Sequence, residues 1–313
     1  MTSGRAGAPG APAARVSSRQ SSAPVLLDSR AMAEFVARGF LRVDAVVPSD
    51  LNVACLEEMR RAPWRGHGLS AKLASDDQPG SPISSCFADS PALRAMLDHP
   101  VVAGAIESLL GPDPLYDHHA VHVRYPGEPA QRLHADSIID TRLRFDVQMM
   151  YFPHDVSDEM GGTLLVPGSH LRRVNEHDVA RYQNLRGQVR YAGPAGSVLF
   201  LHHGLWHCGR RNRLDEPRYM FKLRLNPAAP QVRRWATGDL ADEEVQGEVV
   251  TILRRTEPWM EWSTKRLDLV NRIALWRYLT DDPGFDFDRW YGRLENAARP
   301  GLLERLPGAE HPE

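Results

Sequence analysis

The sequence predicts a β core with flanking helices: short strands closing into a barrel or double-sheet jelly roll, wrapped by α-helices from both ends of the chain. Three observations carry this. Between residues 114 and 226 the chain runs in short stretches rich in β-branched and aromatic residues. Gly/Pro turns punctuate them, at YPGEP (125–129), PGSH (167–170) and AGPAGS (192–197). On either side of this region, apolar residues recur at helical spacing.

Taken in order, the first 24 residues are mostly Gly, Ala, Pro, Ser and Arg, with no acidic residue and no apolar h-region. They read as a disordered tail and not a secretory signal; a transit peptide is the alternative. DSRAMAEFVARGF (28–40) predicts a helix capped by Asp28 or Ser29. Met32, Phe35 and Val36 line one face, and Gly39 ends it. FLRVDAVV (40–47) predicts a strand. Pro48 to Arg61 predicts a second helix with Leu51, Cys55 and Met59 on one side. Residues 62–90, rich in Gly, Ser, Asp and Pro, have no period and read as a long loop that could cover a site. PALRAMLDHPVVAGAIESLLG (91–111) predicts two helical turns and a helix stopped by Gly111.

Strands are expected at Leu115–Tyr125, Phe145–Phe152, Thr163–Val166, Ser197–Leu201 and Tyr219–Leu225. After Pro230 the pattern is helical again, with Leu269, Ile273 and Trp276 at i, i+4 and i+7. DEEVQGE (242–248) reads as a solvated helix face. There are no repeats. The economical organisation is one domain over 25–300, with its β core at about 114–226, a helical extension at about 231–300 and a second tail at 301–313.

Bulk properties exclude some partners. The formal net charge is −2, which offers no nucleic-acid surface and no polybasic membrane patch. No apolar run is long enough to span a bilayer. The three cysteines, Cys55, Cys86 and Cys208, are odd in number and unpatterned. They fit a reducing compartment, hence the cytoplasm, better than a disulfide framework.

RLHADSIID (132–140) sets His134 two positions before Asp136. With 13 His and 23 Asp in 313 residues, chance supplies about one such pair, so the spacing alone decides nothing. In an extended stretch the two side chains share a face and could chelate; in a helix they could not. Ten of the 13 histidines lie between 118 and 207, which favours metal chemistry in the β core. His202, His203 and His207 are each available as a third ligand, and the following strand carries Arg218.

LHAD (133–136), GGTLLVPGSH (161–170) and GSVLFLHHGLWHCGRRN (196–212) with PR (217–218), taken in this order, resemble the phytanoyl-CoA dioxygenase (PhyH-like) branch of the Fe(II)/2-oxoglutarate oxygenases. FVARGFLRVDAVVPSDL (35–51) resembles the start of the same family. The resemblance runs from about residue 30 to 228. It implies a double-stranded β-helix with iron ligands at His134, Asp136 and His207. It places the arginine for the far carboxylate of 2-oxoglutarate at Arg218, eleven residues after His207, with Asn212 and Pro217 matching between them. His207 is favoured over His202 because it keeps that spacing. Gln131 and Thr163 fall at positions associated with the cosubstrate.

Two imidazoles and one carboxylate occupy one face of Fe(II) and leave the other open for 2-oxoglutarate and O2. A planar, permanently charged guanidinium suits a remote carboxylate. The implied reaction is hydroxylation of an unactivated C–H bond of a small organic substrate, with release of succinate and CO2. Desaturation, epoxidation or ring closure would use the same machinery. Related halogenases carry a small residue where Asp136 stands, so the carboxylate argues for oxygenation.

Blander roles compete for each residue. Arg218 could pair with Asp215 or Glu216 at the surface. His118, His119 and His122 read as satisfied polar residues, since alternation separates 118 from 119. PGSH reads as structural, Gly168 turning the chain and Ser169 or His170 tying it down. Trp206 either walls a pocket or fills core. The rival functions are a metal enzyme without 2-oxoglutarate (a zinc hydrolase or a cosubstrate-independent dioxygenase) and a non-catalytic ligand-binding barrel. Arg218 discriminates against the first, which has no need of it, and the complete His134/Asp136/His207/Arg218 set argues against the second.

Overall fold

In the computed structural model, residues 23–62, 70–71, 73, 76–136, 143–172, 184–260 and 262–287 are described. Nearly all of the tail expected at 1–24, and all of that expected at 301–313, lie outside them. Helices form where caps and periodicity place them. Helix α1 (Ser29–Arg38) starts at Asp28, whose carboxylate accepts from Ala31 N at 2.7 Å, and stops at left-handed Gly39. Helices α2 (Ser49–Arg60), α3 (Pro91–Leu97) and α4 (Pro100–Leu110) follow, the last two opening on proline. The C-terminal helices are α5 (Glu243–Leu253), capped by Asp242, and α6 (Trp262–Thr280). In the DEEVQGE stretch Val245 is buried and the other residues are exposed.

Among the described residues nine strands form: β1 (Phe40–Val43), β2 (Ser70–Ala71), β3 (Leu115–Arg124), β4 (Val147–Phe152), β5 (Thr163–Leu165), β6 (Val189–Tyr191), β7 (Ser197–His202), β8 (His207–Gly209) and β9 (Arg218–Asn226). The expected strand at 40–47 is half as long, because Ala45 takes φ 49°. The 62–90 segment is not wholly loop: it contributes β2 and a 3₁₀ turn, Ile83–Ser85. Strands β6 and β8 were outside the expected set.

All pairings are antiparallel. One sheet has the order β1-β7-β4-β9-β3-β2 and the other β6-β5-β8. The two sheets make the double-stranded β-helix. Alternation along the strands sets the layers. Val147, Met149 and Tyr151 of β4 and Phe221, Leu223 and Leu225 of β9 join Phe35, Met59, Leu93, Leu109, Val249 and Trp276 of the helices in one core. Met150, Phe152, Leu199, Leu201 and Met220 point the other way and meet Leu165 and Tyr191 of the smaller sheet. At β8 the two sheets leave a polar cleft, and the site lies there.

Candidate active site

His134 and His207 are brought together by backbone pairing. Their amides and carbonyls exchange hydrogen bonds, His134 N to His207 O at 3.0 Å and His207 N to His134 O at 2.8 Å. His134 is therefore extended, as chelation with Asp136 requires, though as an isolated bridge and not within a regular strand. One nitrogen of each ring is committed. Nδ1 of His134 faces Arg132 O at 2.8 Å, and Nδ1 of His207 faces Leu205 O at 2.9 Å. A carbonyl accepts only, so Nδ1 carries a proton in both rings and Nε2 is the nitrogen left to face a metal.

Both Nε2 atoms face Asp136. His134 Nε2 lies 3.7 Å from Oδ1 and His207 Nε2 lies 3.6 Å from Oδ2. The three ligand atoms fall within 4.8 Å of one another. Among the described residues this is the one cluster of three such groups. Burial holds the His207 pKa down at about 4, so its imidazole is neutral near pH 7. Burial works to raise the Asp136 pKa, but His207, Lys222 and His134 outweigh it and hold the carboxyl well below its ordinary range. Two imidazoles, each oriented through its Nδ1, and an ionised carboxylate are the donor set of a divalent transition metal. The residues fit Fe(II).

The rest of the cleft is lined by Gln131, Thr163 and Arg218, with Arg124, His122 and Lys222. Gln131 and Gly209 pair twice: Gln131 N donates to Gly209 O, and Gly209 N donates to Gln131 Oε1, both at 2.8 Å. Thr163 opens β5 opposite Gly209 and is buried. Arg218 is 5% exposed and makes no ion pair with Asp215 or Glu216. Its Nη1 donates to Met160 O at 2.9 Å and Gly162 O at 2.8 Å. Gly162 has φ 55°, and a Cβ there would sit 1.7 Å from Tyr191 O, so only glycine turns this carbonyl toward the arginine. Burial and nearby Arg124 push the Arg218 pKa down to about 10.

His202 packs against Phe145 and His170, away from the cluster, and receives Gly204 N on Nδ1. His203 is buried, its pKa lowered to about 3 by burial and Arg224. His118 and His119 take opposite sides of β3; His119 is held by the Tyr116 hydroxyl at 2.8 Å and Leu73 N at 3.1 Å. In PGSH, Gly168 turns at φ 75°, Ser169 Oγ joins Val166 O to Trp206 N, and His170 Nε2 donates to Val36 O. Trp206 fills core beside Trp259, Leu133 and Leu164. Asn212 ties its own turn through Arg124 O, Glu216 O and Leu214 N.

Sequence reading missed three residues. Lys222 Nζ donates to Asp136 Oδ2 at 2.9 Å. Gln148 Nε2 lies 3.4 Å from His207 Nε2, while its buried Oε1 has no hydrogen-bond partner among the described residues. Arg124 stands opposite Arg218 in the β3–β9 ladder.

The model of the phytanoyl-CoA dioxygenase (PhyH) family matches residues 35–220. No curated protein matches the chain in sequence. Among solved structures, AviO1 from Streptomyces viridochromogenes Tue57 is similar with a TM-score of 0.50 and 17% identity, over 66% of this chain and 99% of that one. HygX from Streptomyces hygroscopicus, with nickel, 2-oxoglutarate and hygromycin B bound, is similar with a TM-score of 0.50 and 16% identity, over 70% and 94% of the two chains. These likenesses are likenesses of fold.

Proposed function

The chain belongs to the phytanoyl-CoA dioxygenase (PhyH) family, and from that premise we propose that it is an Fe(II)- and 2-oxoglutarate-dependent dioxygenase hydroxylating an unactivated C–H bond of a small organic substrate, with release of succinate and CO2. The carrying observation is the convergence of two Nδ1-protonated histidines on one carboxylate. His134, Asp136 and His207 would hold the iron. Bound there, Fe(II) would supply the O2 chemistry that couples decarboxylation of 2-oxoglutarate to oxidation of the substrate.

The chain's own groups do the rest. His134 and His207 keep their Nε2 lone pairs aimed inward because carbonyls hold the opposite nitrogens. Asp136 stays ionised and supplies the negative charge that a divalent cation needs. Arg218, buried and free of any carboxylate partner among the described residues, offers a planar cation to the far carboxylate of 2-oxoglutarate. Gln131 and Thr163 line the same cleft and would flank the cosubstrate. A zinc hydrolase or a cosubstrate-independent dioxygenase would leave the buried Arg218 without a task, which disfavours both. HygX, in the same fold, has 2-oxoglutarate bound with nickel, which supports the pairing of metal and cosubstrate. Three unpaired buried cysteines fit residence in the cytoplasm. A small-molecule substrate is the one partner the cleft asks for.

The test is anaerobic titration of the protein with Fe(II) and 2-oxoglutarate, followed by visible absorption. A weak charge-transfer band should appear with both additions, vanish in His134→Ala and need more 2-oxoglutarate in Arg218→Ala. Iron binding without the band would remove the cosubstrate from the reading. Absence of metal binding would remove the enzyme.

A further inference from the structure

The wall of the cleft away from the three candidate ligands holds a second buried cation. Arg124 ends β3 and is directly opposite Arg218, the first residue of β9. Directly opposed residues of an antiparallel pair share a face, so both side chains enter the cleft from one side. Both line it, at 6% and 5% exposure. Arg124 Nη1 donates to Pro129 O at 3.2 Å and lies 3.6 Å from a Glu128 carboxylate oxygen. Arg218 has backbone carbonyls and no carboxylate. Two buried guanidiniums thus share one carboxylate among the described residues, and one positive charge is left over.

Like charges directly opposed across a ladder repel, and an uncompensated charge taken from water costs more than a surface one. Such an arrangement is stable when an anion completes it. The free ends converge: a Cβ on Gly209 would stand 3.0 Å from Arg124 Nη2 and 3.6 Å from Arg218 Nη2, with Gln131 Oε1 at 2.9 Å. Both Nη2 atoms therefore reach the backbone of Gly209 side by side, and glycine is needed there because a side chain would press on Arg124 and Gln131. A carboxylate has two oxygens and about four lone-pair directions, enough for one fork from each arginine. Lys222, the other cation of the cleft, is already engaged by Asp136.

We propose that Arg124 is a second binding residue for the far carboxylate of 2-oxoglutarate, so that Arg124 and Arg218 form a two-arginine seat for it over Gly209. This rests on the reading of the site as a 2-oxoglutarate site. The alternative role for Arg124 is to hold the 124–129 turn through Pro129 and Glu128.

The experiment compares two acids on the Fe(II)-loaded protein under anaerobic conditions: 2-oxoglutarate, and 2-oxobutyrate, which has the same chelating end and no far carboxylate. Affinities are measured for the wild type, Arg124→Met and Arg124→Lys, with Fe(II) affinity and thermal unfolding measured alongside. Arg124→Met should weaken 2-oxoglutarate by about 10-fold or more, leave 2-oxobutyrate and Fe(II) unchanged, and be partly rescued by Arg124→Lys. Equal loss for both acids would make Arg124 a structural residue and overturn the proposal. No loss for either would overturn it as well. A wild type that binds 2-oxobutyrate and not 2-oxoglutarate would remove the seat, and one that binds neither would remove the 2-oxoglutarate reading and the seat together.

Discussion

Strands β4 and β9 present two faces of very different character. Toward the helices point Val147, Met149, Tyr151, Phe221, Leu223 and Leu225, all fully buried and all apolar but for one hydroxyl, that of Tyr151, which donates to Asn52 Oδ1 at 2.6 Å. Toward the smaller sheet point Gln148, Met150 and Phe152, and Arg218, Met220, Lys222 and Arg224. The helix side has burial as its one task and can be packed with hydrocarbon. The inner side is apolar at its base and cationic toward the cleft. Its cations are kept by partners: Lys222 by Asp136, and Arg224 by Asp117 and Asp146, each at 2.9 Å. Arg218 breaks that pattern: it has no counter-charge among the described residues, and that is the physical ground for the ligand carboxylate proposed there.

The division can be tested face by face. The largest effect belongs to His207→Ala, which should weaken Fe(II) binding by on the order of 1,000-fold in a chelator competition while leaving the helix-side core folded. Wild-type affinity in that variant would place the metal elsewhere. Leu223→Ala, on the opposite face of the same sheet, should lose about 2–5 kcal/mol of stability in urea titration and keep metal and cosubstrate affinity wherever it remains folded. Altered affinities would mean that the two faces are not separable.

Arg218→Met comes next. It should raise the 2-oxoglutarate Kd by about 30- to 100-fold with no loss of stability, since it also removes an unpaired buried charge; a large drop in Tm would instead make Arg218 a structural clamp on the 160–162 turn. Lys222→Met should tighten divalent-metal binding by about 10-fold, because the ammonium both repels a cation and occupies an oxygen of Asp136. Weaker binding would show that orienting Asp136 outweighs competing for it.

The smallest effect concerns pH and the helix side. Burial, with His202 and Arg272 nearby, holds the His170 pKa well below 6.5. The folded chain keeps this imidazole neutral while the unfolded chain takes up a proton below 6.5, so its contribution is complete above that pH and lost as pH falls. The slope is about 1.4 kcal/mol per pH unit for one proton. In urea midpoints between pH 7 and 5, His170→Asn should show a shallower acid slope than the wild type; an unchanged slope would assign the acid sensitivity to other groups.

Much of this was legible from residue order. Asp28 and Gly39 bracket α1 as their capping chemistry requires, and turn residues separate β3, β4, β5, β7 and β9 close to where they form. Strands β6 and β8 were not: like β5 they are three residues long, but they lack its run bounded by glycine and proline (GGTLLVPG, 161–168), and their pairing with β5 supplies the order that their composition does not. In the site, spacing and family resemblance brought out His134, Asp136, His207 and Arg218. Arg124 was invisible because it becomes a neighbour of Arg218 only through the β3–β9 register. Lys222 was within reach: Arg218, Met220, Lys222 and Arg224 alternate with Tyr219, Phe221, Leu223 and Leu225, a pattern that puts it on the face of Arg218.

The reciprocal amide pairing of His134 and His207 has a consequence for how a metal would arrive. The two imidazole carriers are about 70 residues apart, and closing such a loop costs about 4 kcal/mol of chain entropy or more. The paired amides close that loop through bonds of their own, separate from any bond to an ion. Metal uptake should then be a local docking event, with little heat of ordering and fast exchange. Slow amide protons at positions 134 and 207 in chelator-treated protein would be its signature, unchanged when the ion is returned.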